Sequence, residues 1–296
     1  MKSPEGRAQV LALAAKADAL IEGFRPGVME RLGLGPAECH AANPRLVYGR
    51  MTGWGQDGPM APTAGHDINY VALSGALHAI GSKFSGPLPP LNLVGDFGGG
   101  GMMLALGIVS GLLEAKTSGR GQVIDAAMTE GAGLLMSMMY GFLANGRWSA
   151  TRAQNIFDGS HYYYRCYATA DDQWMSVGSI EPHFRKELFE KLGIGEATEE
   201  LMKRDDRDPE VHRELEKIFR SRDRAFWTQQ FEGSDACVAP VLAMDEVVAH
   251  PHNAARVSFR DIEGVRHPMP APRFSRTPLA PPRNEASPAS LQAWGL

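Results

Sequence analysis

Ala19-Leu20-Ile21-Glu22-Gly23-Phe24-Arg25-Pro26-Gly27-Val28-Met29-Glu30-Arg31-Leu32-Gly33-Leu34 is the stretch whose reading decides the fold. Residues 19–24 read as a short buried strand, Arg25-Pro26-Gly27 as a turn, and residues 28–34 as a short helix. Upstream, residues 3–17 read as a helix with Ser3 as N-cap and Pro4 at the first position, facing Val10, Leu11, Leu13 and Ala14 inward. Downstream, residues 45–52 read as a second strand. Helices alternating with strands predict an α/β layer with parallel strands.

A Gly- and Pro-rich loop, residues 53–65, leads to Gly65-His66-Asp67-Ile68-Asn69-Tyr70, where helical apolar spacing runs over residues 67–80. A Pro-rich linker at 86–90 delivers the chain to Gly95-Asp96-Phe97-Gly98-Gly99-Gly100-Gly101, followed by a helix that ends near Lys116 before Gly119 and Gly121. Residues 123–127 read as a strand entering another apolar helix. The apolar runs 102–113 and 126–144 are too short or too interrupted to span a bilayer, so they read as buried core helices, with Gly107 and Gly111 permitting close contact. Beyond residue 160 the texture changes. Residues 162–169 and 173–179 suggest a hairpin around Ala170-Asp171-Asp172, and charged amphipathic helices follow at 183–192, 209–220 and 223–231. The expected division is a large domain of residues 1–126 plus 271–296, linker helices at 127–164, a smaller α+β domain at 165–250, and a return linker at 251–270. The Pro-rich end reads as an extended tail on the first domain.

With 296 residues, 44% hydrophobic and 22% charged, the chain fits a soluble globular protein. A net charge of -4 offers no general attraction to nucleic acid or anionic membrane, so neither is expected as a partner. An anionic ligand must be met by local basic residues. Cys39, Cys166 and Cys237 are widely spaced, which suggests neither a zinc site nor a disulfide framework, and a reducing cytoplasm is the simplest compartment. The glycine run is not a P-loop, because no Gly-Lys-Ser/Thr closes it. Tyr162-Tyr163-Tyr164 reads as sheet packing, since no basic patch accompanies it.

His66 and Asp96 place an imidazole and a carboxylate at two segment starts, each ahead of an apolar helical run. Two bases on opposite faces of one carbon can invert its stereochemistry. The positive end of a helix would favour neutral imidazole at His66 and carboxylate at Asp96. On spacing alone, Asp96 reads equally as an N-cap, His66 as a helix-start or surface histidine, and Asp67 as a cap beside the site. Glu181 lies at an ordinary strand-to-helix junction before Pro182. The amides of Gly98 to Gly101 could approach an oxyanion closely because no side chains intervene.

Gly23-Phe24-Arg25-Pro26-Gly27, Glu30-Arg31-Leu32-Gly33, Met51-Thr52-Gly53-Trp54-Gly55, Gly65-His66-Asp67, Gly95-Asp96-Phe97-Gly98-Gly99 and Gly119-Arg120-Gly121-Gln122 are specific in combination. Their order and spacing resemble the class III CoA-transferase superfamily, and the His-Asp pair resembles its α-methylacyl-CoA racemase branch. The resemblance extends over nearly the whole chain, through Asp235-Ala236-Cys237-Val238-Ala239-Pro240-Val241 and Pro270-Ala271-Pro272-Arg273. It implies a Rossmann-like large domain with a smaller α+β domain, and an interlocked homodimer binding CoA between the large domain and the partner's small domain. It also implies 1,1-proton transfer on a 2-methylacyl-CoA without metal or separate cofactor. In that scheme His66, supported by Glu181, serves one face and Asp96 the other. Arg25 and Arg31 meet CoA phosphates, where a forked guanidinium suits paired oxygens, with a solvated helix face as the plain alternative. Gly65, Asp67, Tyr70 and Asn92 belong to the substrate site, although core packing explains Tyr70 equally well, and Gly98 and Gly99 offer backbone donors to the enolate oxygen.

Relatives of this superfamily begin roughly sixty residues further upstream, so the large domain is expected to be N-terminally truncated, lacking part of its parallel sheet and of the CoA cradle. The expected causes are a misassigned start or a shortened protein. Two rivals to racemisation are CoA transfer with Asp96 as nucleophile and a silent CoA-binding or dimerising chain. His66 argues for the racemase, because transfer needs a nucleophilic carboxylate but no second base.

Overall fold

The fold is that of a computed structural model in which residues 2–283 are described. Contacts divide it into two compact units, with the division between His161 and Tyr162. In the first, helix α1 (Pro4–Ala14) begins at Ser3, whose hydroxyl accepts the Gly6 N–H at 3.1 Å, the expected cap. Strand β1 (Ala19–Glu22) is followed by α2 (Val28–Arg31), by α3 (Pro36–Ala42), which the sequence reading did not anticipate, and by β2 (Val47–Thr52). Helices α4 (Asp67–Leu73) and α5 (Ala76–Ala79) come from the run expected as one helix. They separate because Gly75 takes φ +82°, a left-handed conformation that ends the first helix. Two-residue strands β3 (Gly81–Ser82) and β4 (Gly86–Pro87) form a small antiparallel ribbon.

A π-helical segment, Leu93–Gly101, then runs directly into α6 (Met102–Ser118), and β5 (Val123–Ala127), α7 (Met128–Leu135) and α8 (Ser137–Ala144) follow. Strands β1, β2 and β5 form a parallel sheet in that order, pairing Ala19 with Val47 and Tyr48 with Val123. Central β2 buries Val47 through Arg50. Beneath it lie Ala14, Met29, Leu34, Cys39, Leu46 and Tyr48, while Val47 packs with Leu104, Ile108 and Ala126. Gly107 and Gly111 let α6 close onto this sheet: a Cβ would stand 2.8 Å from Ile124 Cγ2 at the first and 3.0 Å from Val47 Cγ1 at the second.

Two expectations of burial are corrected. Strand β1 is an edge strand, and Ile21 is 60% exposed. The apolar helices are not buried all round: Met102, Leu106, Val109 and Leu113 form an outward stripe on α6, each at least 60% exposed, and α8 has no fully buried residue. The continuous helix Leu93–Ser118, 26 residues, is long and apolar enough to cross a membrane by length and composition.

In the second unit, β6 (Tyr164–Ala168) and β7 (Trp174–Gly178) form the expected antiparallel hairpin. Helix α9 (Pro182–Lys191), a 3-10 turn at Gly195–Ala197, α10 (Thr198–Met202), α11 (Pro209–Phe219) and α12 (Arg224–Phe231) follow, and β8 (Val238–Pro240) pairs with β7. Val211, Leu215 and Phe219 bury one stripe of α11, and the Phe219 ring stacks on Tyr167 at 4.9 Å. Tyr162 and Tyr163 are buried in this core, as the packing reading expected. Residues 251–270, expected as a return linker, instead contain α13 (Pro251–Ala255) and an antiparallel hairpin of β9 (Phe259–Ile262) and β10 (Val265–Pro268). Residues 271–283 group with this unit, whereas 284–296 of the expected tail lie outside the described residues. The helices expected as linkers, α7 and α8, belong to the first unit.

Candidate active site

Parallel strands carry their loops at the carboxyl ends, and the first unit places its candidate chemistry there. At the end of β1, Glu22 Oε2 accepts the Phe24 N–H at 2.7 Å, and in β5, Asp125 Oδ2 accepts the Gln56 N–H at 2.9 Å. Thr129 donates both its N–H and its hydroxyl to the Gly53 carbonyl, at 3.1 and 2.9 Å. The Gly-rich loop between β2 and α4 is therefore pinned at both Gly53 and Gln56. Between the loop and the Phe24–Gly27 turn lies a cleft of about 400 Å³ lined by Phe24, Arg25, Trp54, Gly65, His66, Tyr70 and Met128, among others.

His66 stands at the N-cap of α4, exposed at the cleft, with its backbone N–H donating to Asn69 Oδ1 at 3.1 Å. Asp67, the next residue, is buried, and its Oδ1 accepts the backbone N–H of Asp96 at 2.7 Å. One carboxylate thus joins the segments carrying the two candidate bases. Gly95 makes this approach possible, because a Cβ there would fall 2.4 Å from Asp67 Oδ1. Tyr70 is buried edge-on to Trp54, with ring centroids 4.7 Å apart, over Gly53 and Gly65. Burial raises its phenol above the ordinary range, the Asp96 carboxylate adds to the rise, and the Arg25 guanidinium opposes it. Arg25, Tyr70 and Asp96 therefore share one electrostatic neighbourhood.

Asp96 departs from its expected local role. It is not the N-cap of a following α-helix but the fourth residue of the π-helical segment, whose N-cap is Asn92. It is half-buried, and Asn92 Nδ2 donates to its Oδ2 at 3.3 Å. The Gly98 and Gly99 amides depart further, because in a π-helix each N–H donates to the carbonyl five residues earlier and none in this run is free for an oxyanion. These glycines serve packing: a Cβ on Gly99 would stand 2.4 Å from the Ala132 nitrogen, and one on Gly131 would stand 1.8 Å from the Gly99 carbonyl oxygen. Free donors remain in the first turn of α4, where Asp67 and Ile68 N–H groups have no intrahelical acceptor by helix geometry.

Arg25 is exposed and lines the cleft, whereas Arg31 is exposed beside Gly27, outside the lining. Glu181 belongs to the second unit, exposed at the N-cap of α9. It adds to the effect of burial in raising the Cys237 thiol. Among the described residues no group of three or more His, Cys, Asp and Glu converges as a metal site.

Sequence reading missed the ionic cluster of Glu22, Glu30 and Arg50, of which Glu22 and Arg50 are next in sequence to the cleft-lining Gly23 and Met51. Arg50 Nε donates to Glu22 Oε1 at 2.9 Å, and its NH1 and NH2 reach Glu30 Oε1 and Oε2 at 2.8 and 3.2 Å. Burial opposes the charge of Arg50, but the two carboxylates hold its guanidinium above the ordinary range, and the same bonds hold the Glu30 carboxyl below its own. The available signal was a lone charge in each of two strand runs, Glu22 closing β1 and Arg50 within β2 between Gly49 and Met51.

The model of CoA-transferase family III matches residues 1–291. The chain is 46% identical over 283 residues to mouse alpha-methylacyl-CoA racemase and 45% identical over 284 residues to the human protein of that name. Each match covers 95% of this chain and 74% of the relative. The crystal structure of a CAIB/BAIF family protein from Brucella suis superposes with a TM-score of 0.79 at 25% identity, covering 99% of this chain and 79% of that one. A match along nearly the whole chain, in sequence and in fold, leaves one conclusion: the chain belongs to CoA-transferase family III.

Proposed function

We propose that this chain is an isomerase interconverting the (2R) and (2S) forms of 2-methylacyl-CoA thioesters by two-base 1,1-proton transfer. The observation that carries the reading is the 2.7 Å bond from the Asp96 N–H to Asp67, which fixes Asp96 against the start of the helix that His66 opens. Identity of 45–46% to two alpha-methylacyl-CoA racemases supports the same reading. In one direction neutral His66 removes the α-proton, the electrons move into the thioester carbonyl as an enolate, and protonated Asp96 delivers a proton to the opposite face. In reverse, carboxylate Asp96 removes the proton and imidazolium His66 returns one, so each turnover regenerates the pair in the alternate state. In this reading the first-turn amides of α4, rather than those of Gly98 and Gly99, stabilise the enolate oxygen. This scheme uses no metal and no cofactor beyond the CoA of the substrate. Arg25 meets the anionic end of CoA, while Glu181 and Arg31 carry the roles that family resemblance assigns them.

The same reading makes the protein a homodimer, a proposal that the exposed Met102, Leu106, Val109 and Leu113 stripe supports by offering apolar surface for burial. It also places the protein in the cytoplasm, consistent with three unpaired cysteines.

A single C2 epimer incubated in D2O without an acceptor acid tests the function. Deuterium entry at the α-carbon with movement toward equal epimers supports racemisation. Thioester exchange that requires an acceptor, through an enzyme intermediate trapped by hydroxylamine, would replace it with CoA transfer by Asp96.

A further inference from the structure

We infer that Glu22 and Arg50 are positioning residues that set the affinity for the anionic end of the acyl-CoA by holding the Phe24–Gly27 turn; this deepens the racemase reading and rests on it. The turn bridges β1 and α2, and Arg50 binds a carboxylate on each side of it, Glu22 in β1 and Glu30 in α2. Glu22 also takes the Phe24 N–H at 2.7 Å, so one buried carboxylate serves both the clamp and the backbone of the turn. The Glu22 and Arg50 side chains are 2% and 8% exposed, whereas Arg25, which the turn presents to the cleft, is exposed.

A buried ion pair is a poor route to stability, because desolvation offsets most of its attraction, while removing one partner leaves an uncompensated charge. Its value here is geometric. A guanidinium meeting phosphate oxygens through two parallel bonds depends on where its backbone starts, and a long exposed side chain supplies no such fixing by itself. The clamp holds the backbone on both sides of Arg25 and leaves its side chain free to engage the ligand.

The test compares two substrates on the full-length enzyme: a 2-methylacyl-CoA, and the corresponding 2-methylacyl-pantetheine thioester, which keeps the reacting carbon and thioester but lacks the nucleotide phosphates. Glu22→Ala is expected to raise KM for the CoA thioester about tenfold, with kcat within about twofold and kcat/KM for the pantetheine thioester unchanged. Glu22→Gln keeps an acceptor for the Phe24 N–H and should recover most of the CoA affinity. Adding Glu22→Ala to Arg25→Ala should raise KM little beyond Arg25→Ala alone, because both changes remove the same contact. Equal losses on both substrates, additive effects in the double variant, or loss of folded protein in both Glu22 variants would assign the pair to fold stability and overturn the proposal. Failure of the wild type to epimerise either substrate would instead defeat the racemase reading.

Discussion

Asp67 concentrates the account at the scale of single residues, because one buried oxygen sets where the Asp96 backbone lies relative to the helix of His66. Asp67→Ala should lower kcat on the order of 10²-fold with little change in KM, since a displacement of the base costs reaction geometry rather than binding. Steady-state kinetics on one epimer check this, and an unchanged kcat would show that Asp67 does not position the base. The types and order of His66, Asp67, Asp96, Tyr70 and Arg25 were legible in the sequence. What joins them was not: the bond from Asp67 to Asp96 spans 29 positions, and an aspartate that holds a distant amide looks like any other at a helix start.

Among the elements, the π-helical segment Leu93–Gly101 was the least legible, because helical start and stop signals do not distinguish a wide turn from an ordinary one. Its glycines looked like donors for an anion, and the fold uses them for backbone approach to α7. Gly131→Ala should therefore cost about 1–3 kcal/mol of stability through overpacking and lower Tm accordingly, since its Cβ would collide with the Gly99 carbonyl. Gly133→Ala, which meets nothing within 4 Å, should be neutral or slightly stabilising, and thermal denaturation of both compares them directly. In the second unit, periodicity alone placed α11, but not the setting of its His212. The imidazole faces the Arg165 guanidinium, and burial followed by Arg165 pushes it below its ordinary 6.5, against the opposing pull of the Asp206 backbone and Glu216. Because the folded state resists the proton more than the unfolded state does, this contribution to stability is complete above about 6.5 and declines as pH falls from there through the lowered value. Tm should drop across that window, and His212→Gln should flatten the drop; an equal slope in the variant would exclude His212 as its source.

For the whole molecule, helix and strand alternation sufficed to predict a parallel α/β layer followed by an α+β unit, because hydrophobic period and turn residues are local properties. Unit boundaries were less accessible: α7 packs through Gly131 onto a segment some thirty residues earlier, and 251–270 gains its hairpin from pairing rather than from strong strand composition. The outward stripe on α6 belongs to this scale, where the homodimer reading predicts a solution mass twice that of the 32.1 kDa chain by light scattering; a monomeric mass at micromolar concentration would contradict it. The central claim is that His66 and Asp96 serve opposite faces of one carbon. Its most direct test follows α-deuterium exchange of each pure epimer in D2O with His66→Ala and Asp96→Ala. The account predicts that neither variant epimerises, and that residual exchange in the two variants is confined to opposite epimers. Exchange of the same epimer by both variants, or full epimerisation by either, would contradict it.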